Sequence, residues 1–507
     1  MNTKYIFPIV LSSVLLFMNS CSLIFEPVDT YSDVTEGITE GGDEVVFRDK
    51  AAVEGHLVTL YNQLRERQEH WYLDLLLIAE AHADNAYAGT TGAEVVPFEN
   101  NAIEGSNSVI NRDWNRYLED IARANRLIVN IDGVQDASLT IAERERYKAE
   151  AKIFRAMILF DMVRLWGSIP VITTEAEDIT SETIGEVYDD YFPSQATEEE
   201  AYRQIEQDLL DALGAAPDNN LSDKTRFSKS VAKALLAKIY AEKPIRDYNK
   251  VIQYADELAA DGFDLVSDYS DLFGMNASNT DTKMRNTQES ILEAQFFSGG
   301  GNWVTWMFGR DLTNWNNNFT WAKWVTPSRD LIRTFQNEGD EVRYRESIVY
   351  YETSWSNYYP SSNYPFMYKC RSAFSSIIKY RYADILLLKA EALIMRDGAD
   401  LAAAADIIDR IRQRAGGLPR LSSSVRASKE AMLDALLKER RLELAFEGQR
   451  WFDLVRLNKV EEVMNAVFAN DSGRRPQVYP FSENSYRMPI PQAVLDQNPN
   501  LVQNPGY

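Results

Sequence analysis

Apolar residues recur at three- and four-residue intervals through most of this chain, with polar positions between them, the period of helices that bury one face. The pattern predicts helices over 48–67, 70–87, 110–131, 142–166, 197–213, 228–243, 248–261, 380–396, 401–414, 428–446 and 449–467. Breakers separate them, notably Gly167 with Pro170, Gly416-Gly417 with Pro419, and Gly448. Residues 262–379 differ, being rich in Asn, Ser, Tyr, Gly and Trp. Short apolar runs such as Ser290-Ile291-Leu292-Glu293-Ala294 and Ser347-Ile348-Val349-Tyr350-Tyr351 predict loops and small strands there.

A weak internal echo accompanies the periodicity. Ala151-Lys152-Ile153-Phe154 recurs as Ala237-Lys238-Ile239-Tyr240, and more loosely as Leu388-Lys389-Ala390-Glu391. Ala234 to Leu258 and Ile385 to Ile411 each read as a helix, a short turn and an Ala-rich second helix, the habit of tetratricopeptide-like pairs. Helices of one kind flank 262–379, so that region is an insertion into one body and not a separate domain. The length of 507 residues, which alone suggests about three domains, is overridden by this interleaving.

The run Leu436 to Leu457 is the most informative stretch. It predicts one helix, a break at Gly448, and a second helix entered at once. Glu439, Glu443 and Glu447 stand at i, i+4 spacing beside Arg440 and Arg441, which predicts ion pairs carried within the helix. Trp451, Phe452 and Leu454 follow, so the run reads as a tight helix–helix corner with Arg–Glu pairs locked at its seam.

That run resembles the C-terminal signature of the SusD/RagB family, surface glycan-binding lipoproteins of Bacteroidetes-type bacteria. Other segments resemble the same family in the same order: Ala149 to Ala156 through Leu165-Trp166-Gly167-Ser168-Ile169-Pro170, then Thr326-Pro327-Ser328, then Tyr380 to Ala392, and the tail from Met488-Pro489-Ile490-Pro491 to Gly506-Tyr507. The resemblance implies a mainly α fold, a tetratricopeptide-like scaffold of about four helical pairs with an inserted loop-rich region carrying short strands. It implies a non-enzymatic lid on a TonB-dependent barrel of the SusC type, which it supplies with oligo- or polysaccharide. A peptide-capturing cap of the RagB kind has the same fold and partner and is the alternative.

The first 20 residues read as a lipoprotein signal peptide: Lys4, then an apolar stretch from Ile6 to Met18 too short to span a bilayer. Cys21 follows directly and resembles the acylated residue of a lipoprotein. Residues 21–46 then form an acidic tether, and 47–507 the body, with 262–379 as its insertion. Cys370 is the other cysteine, and with Cys21 lipidated it has no disulfide partner. No later segment is apolar enough to cross a membrane, so a lipid-anchored and not an integral protein is expected, and the family resemblance implies that it sits on the outer membrane facing the exterior. A formal net charge of −23 repels nucleic acid and polyanionic sugars, favouring a neutral glycan.

Candidate chemistry concentrates in five tryptophans within 22 residues, Trp303, Trp306, Trp315, Trp321 and Trp324, among glycines, asparagines and Arg310. Flat sugar faces stack on such rings, while amide, carboxylate and guanidinium groups hydrogen-bond to hydroxyls. Trp303, Trp306, Trp315, Trp321 and Arg310 are therefore candidate glycan contacts, with Trp324 closer to scaffold. The family resemblance also points to the loop after the second helix, here Asp84, Asn85 and Tyr87. This loop lacks the aromatic arc of starch-type relatives, having no tryptophan between Trp71 and Trp114. No catalytic residue, metal site or cofactor is expected: His56, His70 and His82 show no metal-ligand spacing, and no phosphate-loop or paired-cysteine motif occurs.

Overall fold

Capping side chains set where the long helices begin. Thr140 Oγ1 accepts the Glu143 N–H at 3.3 Å while the Glu143 carboxylate accepts the Thr140 N–H at 3.0 Å, opening helix Ile141–Trp166. Thr197 and Glu200 repeat the reciprocal cap for Glu198–Ala215. The computed structural model describes residues 46–89, 92–176, 184–297, 301–309 and 323–507. Residues Val45–Tyr507 form one compact unit.

The fold is mainly α-helical, with consecutive helices packed as pairs. Ser108–Asn130 lies on Ile141–Trp166, which lies on Glu198–Ala215; Lys229–Ile239 packs on Tyr248–Ala260, and Tyr382–Met395 on Leu401–Arg414. Small residues at these seams, Ala234, Ala237, Ala255, Ala390, Ala404 and Ala405, are fully buried and permit close approach. Every residue from Ile153 to Trp166 is buried, so this helix is the central column of the body. Its charged residues are paired: Arg155 with Asp208 at 2.6 Å, and Asp161 with both Arg164 at 2.5 Å and Lys379 at 2.9 Å.

The predicted strand runs are strands. Ser290–Ala294 pairs antiparallel with Ile377–Arg381, and Ile348–Tyr351 with Tyr364–Met367. The reading of 262–379 as loops and strands alone is incomplete, because helices Arg329–Glu338 and Glu341–Ser347 lie within it. Ser328 caps the first by accepting the Leu331 N–H at 3.1 Å, Leu331, Ile332 and Phe335 supply its buried face, and Gly339 ends it at φ 66°.

Two helices depart from their predicted course. The predicted helix 70–87 is wound as π-helix over Glu69–Leu73, α over Asp74–Leu76 and π again over Leu77–Ala81; Ala86–Ala88 is instead a strand paired with Val325–Pro327. The predicted helix 449–467 divides into Arg450–Arg456 and Val460–Asn470 where Asn458 adopts φ 55°.

The expectation of ion pairs within Lys429–Glu443 is also corrected. Glu439 reaches Arg343 at 2.7 Å and Arg412 at 3.0 Å; Glu443 reaches Arg343 at 3.0 Å and Arg381 at 2.6 Å; Glu447 reaches Arg381 at 2.6 Å and Lys369 at 2.5 Å. Arg440 turns the other way, to Asp384 and Asp453, each at 2.8 Å. These carboxylates face a dry seam, where cations contributed by other elements are nearer than their own helix's arginines. Although burial opposes ionisation, Arg414, Arg381 and Arg343 together hold the Glu443 carboxyl well below the ordinary range. The predicted locked corner is present, as a lattice tying several elements together and not as a helix stabilising itself.

Candidate functional site

A five-residue helix, Trp303–Met307, carries the candidate site. So short a helix does not hold itself together, and the surroundings brace it. Asn302 Oδ1 accepts the Thr305 N–H at 3.2 Å, and Asn302 Nδ2 donates to the Ser375 carbonyl at 2.7 Å. Gln68, at the bend after the first helix, accepts the Trp303 N–H at 2.8 Å and donates to the Gly301 carbonyl at 3.0 Å. Thr305 Oγ1 donates to the Ser372 carbonyl at 2.9 Å, and Lys323 Nζ donates to the Trp306 carbonyl.

Val304 and Thr305 point inward, while Trp303 and Trp306, three positions apart, remain 37% and 53% exposed. Among the described residues they are the tryptophans left in the exposed class: Trp71, Trp114, Trp166 and Trp451 are buried, and Trp324 and Trp355 half-buried. Phe297, 54% exposed, adjoins them in sequence, with the Arg285 guanidinium 4.8 Å from its ring centre. Arg285 is fixed by Asp281 at 2.6 Å, Ser376 Oγ at 2.8 Å and the carbonyls of Phe296 and Phe374 at 3.1 Å. Asn302 and Arg285 thus attach both approaches to the aromatic helix along one strip, Ala373–Ser376. The sequence reading missed Phe297 and Arg285; the available signal was a lone aromatic just before the glycine-rich turn Gly299-Gly300-Gly301.

Trp315, Trp321, Arg310 and Cys21 lie outside the described residues. The structure encloses the loop candidates Asp84, Asn85 and Tyr87. Asp84 receives both prongs of Arg450 at 2.7 and 2.8 Å and a third contact from Arg441 at 3.2 Å, which hold its carboxyl far below the ordinary range against the opposing effect of burial. Asn85 donates to Glu80 at 2.7 Å and accepts from Arg441 at 2.9 Å. Tyr87 donates to Asp471 at 2.5 Å and stacks on Tyr358, ring centres 4.6 Å apart. In this arrangement none offers a free polar atom to a saccharide; they join the loop to the C-terminal third.

The remaining reactive groups are structural. His70 meets Asp120 at 2.8 Å, His82 meets the Phe98 carbonyl at 2.7 Å, and His56 meets the Arg123 carbonyl at 2.8 Å. Asp74 and Asp113 form a buried carboxyl pair whose proton affinity is raised by burial, but neither reaches the surface where a substrate would lie. The Cys370 thiol is buried, and burial pushes its pKa up to about 12. Among the described residues no cluster of His, Cys, Asp and Glu is arranged to hold a metal, and no helix is long and apolar enough to cross a membrane.

Comparison with known proteins agrees with this architecture. The SusD family model matches residues 264–507, and a model described as starch-binding, associating with the outer membrane, matches residues 33–241. SusD-like protein P2 of Formosa agariphila is 27% identical over 466 residues, covering 85% of this chain and 87% of that protein. SusD-like protein P38 of the same organism is 26% identical, covering 97% and 96%. Among solved structures, a laminarin-binding SusD-like protein superposes with a TM-score of 0.66 at 24% identity, covering 91% of this chain and all of that one (100%). Surface glycan-binding protein A of Bacteroides thetaiotaomicron, solved with laminarihexaose, gives 0.69 at 18% identity, covering 90% and 99%; both are likenesses of fold. With two family models matched in order along its length and curated relatives spanning nearly all of it, the chain belongs to the SusD/RagB family of outer-membrane-associated proteins, whose members bind and do not catalyse.

Proposed function

We propose that this protein captures oligo- or polysaccharide at the cell surface on the ledge formed by Trp303 and Trp306, and passes it as a lid to a TonB-dependent SusC-like barrel in the outer membrane. The observation that carries this reading is the exposure of two indoles, three residues apart, on a helix braced at its start, along its length and at its end. A soluble body gains nothing in stability from wet tryptophans, whereas a pyranose ring buries its C–H face on them. Phe297 extends the apolar surface, and Trp315, Trp321 and Arg310 are proposed to complete it. Laminarin and laminarihexaose in the names of two structural relatives support a saccharide over a peptide.

Lid service requires release as well as capture, and shallow stacking with few hydrogen bonds suits both. The saccharide is proposed to be neutral, given the −23 charge of the chain. Acylation at Cys21 would keep the body at the membrane, with residues 21–46 as its tether. Affinity electrophoresis against a panel of polysaccharides tests the reading. Trp303→Ala and Trp306→Ala should each lose most retention of the polymer that slows the wild type, with unchanged circular dichroism. Wild-type retention by both variants would refute it.

A further inference from the structure

The π-wound segment Glu69–Leu73 is fastened along one side to helix Ser108–Asn130. The Tyr117 hydroxyl donates to the His70 carbonyl at 2.8 Å, and Asp120 accepts from Trp71 Nε1 at 3.2 Å while meeting His70 at 2.8 Å. Arg116 pairs with Glu69 at 2.6 Å. Such winding departs from the ordinary helical ladder, so outside contacts decide whether it persists. Asp74 follows the segment directly and meets Asp113 of helix Ser108–Asn130, the two side chains within hydrogen-bonding reach. Both are buried, and each keeps its Oδ1 atom without a hydrogen-bond partner. Arg112 donates to Asp74 Oδ2 and stands 3.8 Å from Asp113 Oδ1.

Two ionised carboxylates cannot satisfy one another, because each only accepts hydrogen bonds. Out of water they also repel, and Arg112 supplies one positive charge against two negative ones. The other charged groups around the pair have partners of their own. Glu69 has Arg116 and Asp120 has His70 along the seam; from helix Ile141–Trp166, Asp161 has Arg164 at 2.5 Å and Lys379 at 2.9 Å. A single proton resolves both difficulties. It turns one carboxyl into a donor to its neighbour and leaves one negative charge for Arg112, as in other paired acids. Burial raises the proton affinity of both groups, and the Asp74 charge raises that of Asp113 further.

We propose that Asp74 and Asp113 share one proton that clamps the π-wound segment, and that its loss as pH rises loosens the aromatic ledge. Gln68 gives the route. It immediately precedes the segment, is buried, and holds both the Trp303 N–H and the Gly301 carbonyl, while helix Trp303–Met307 packs on the segment itself. The folded protein binds the shared proton more tightly than the unfolded chain does. The contribution of the clamp is therefore fully present below the unfolded value of 3.8 and is lost as pH rises through the raised folded value, which belongs to the pair jointly. The clamp stands apart from the function proposed above; its bearing on saccharide retention rests on that function.

Asp113→Asn supplies an amide donor at every pH and removes the titration. Urea denaturation from about pH 5 to 9 should show the variant gaining stability relative to the wild type as pH rises. Glu80 titrates in both proteins and cancels from this difference. Amide exchange compared at matched pH reads the ledge without any ligand. Residues 301–307 should exchange alike at about pH 5, and faster in the wild type at about pH 9. Parallel stability profiles overturn the shared proton, the result expected if water bridged two ionised carboxyls. Diverging profiles with equal exchange at every pH uphold the proton and overturn its hold on the ledge. Should Asp113→Asn not fold, Asp74→Asn replaces it under the same criteria. Polysaccharide retention by the wild type should fall over the same range and stay level in the variant. Level retention by the wild type overturns the hold on the ledge, whereas no retention at any pH refutes glycan capture alone, the stability profiles still deciding the proton.

Discussion

Arg450 grips both oxygens of Asp84, at 2.7 and 2.8 Å, across 366 residues of chain. The pair sets the loop after the second helix against the start of the helix that follows Gly448, and Arg441 joins it from the preceding helix. A polar residue in a position suggestive of ligand contact is therefore an internal fastener.

Asp84→Ala should destabilise the body by about 3–5 kcal/mol, because it leaves the buried Arg450 guanidinium without its paired carboxylate, while Arg441 keeps Asp330 at 2.8 Å. Urea denaturation followed by circular dichroism reads this loss. The contribution of Asp84 is present above the ordinary carboxylate range and is lost only as pH falls through its lowered folded value, since the folded state favours the ionised form. Polysaccharide retention by the folded fraction should not change. A specific loss of retention with normal stability would restore Asp84 as a ligand contact.

Glu80 behaves in the opposite sense. Burial pushes its pKa up to about 7, against hydrogen bonds from Asn85 at 2.7 Å and the Gly448 N–H at 2.9 Å. The folded protein therefore binds this proton more tightly than the unfolded chain. Its contribution is fully present below the unfolded value near 4.5 and declines as pH rises to about 7, by about 3 kcal/mol in all. Glu80→Gln cannot titrate, so the stability difference between variant and wild type should shift in the variant's favour between pH 5 and 8. Parallel pH profiles would show that Glu80 has an ordinary pKa.

The scaffold was legible because helix periodicity and breakers are local: Gly167, Gly416 and Gly448 end helices or turn the chain where expected, each at positive φ. The Trp303–Trp306 pair was legible for the same reason, as neighbouring indoles beside glycines and asparagines. Asp84, Asn85 and Tyr87 were not, since their burial is decided by Arg450, Arg441 and Asp471, residues remote in sequence. Periodicity also could not separate π from α winding over Glu69–Ala81, where both windings present similar apolar faces. The helix Arg329–Glu338 carried a readable cap at Ser328 and apolar positions at Leu331, Ile332 and Phe335, obscured by the polar composition around it.

Glycines 448 and 89 should respond differently to alanine. Gly448 sits at φ 73°, and an added Cβ would find only ordinary contact with Leu75 at 3.8 Å, so Gly448→Ala should cost about 1 kcal/mol from backbone strain alone. At Gly89 a Cβ would fall 2.0 Å from the Lys323 carbonyl oxygen and 2.5 Å from Thr326 Oγ1. Gly89→Ala should part the pairing of Ala86–Ala88 with Val325–Pro327, giving faster amide exchange in both strands. Equal, small stability losses in the two variants would contradict this distinction.

Asn302 offers a test of whether the aromatic ledge works by being held in place. Its side chain caps the Trp303 helix and ties it to the Ser375 carbonyl, and its N–H donates to Ala373 at 2.9 Å. Asn302→Ala removes the cap and one buried hydrogen bond, together about 1–2 kcal/mol, while touching neither indole. If a preordered pair of rings is what the polymer meets, retention should fall between wild type and Trp303→Ala, because part of the binding free energy now goes to ordering the helix. The global denaturation midpoint should move only slightly, since the central column Ile153–Trp166 is remote from the change in the hydrogen-bond network. Wild-type retention in Asn302→Ala alongside loss in Trp303→Ala would mean that the rings suffice without the brace, and that adaptable indoles, not a fixed surface, do the capturing.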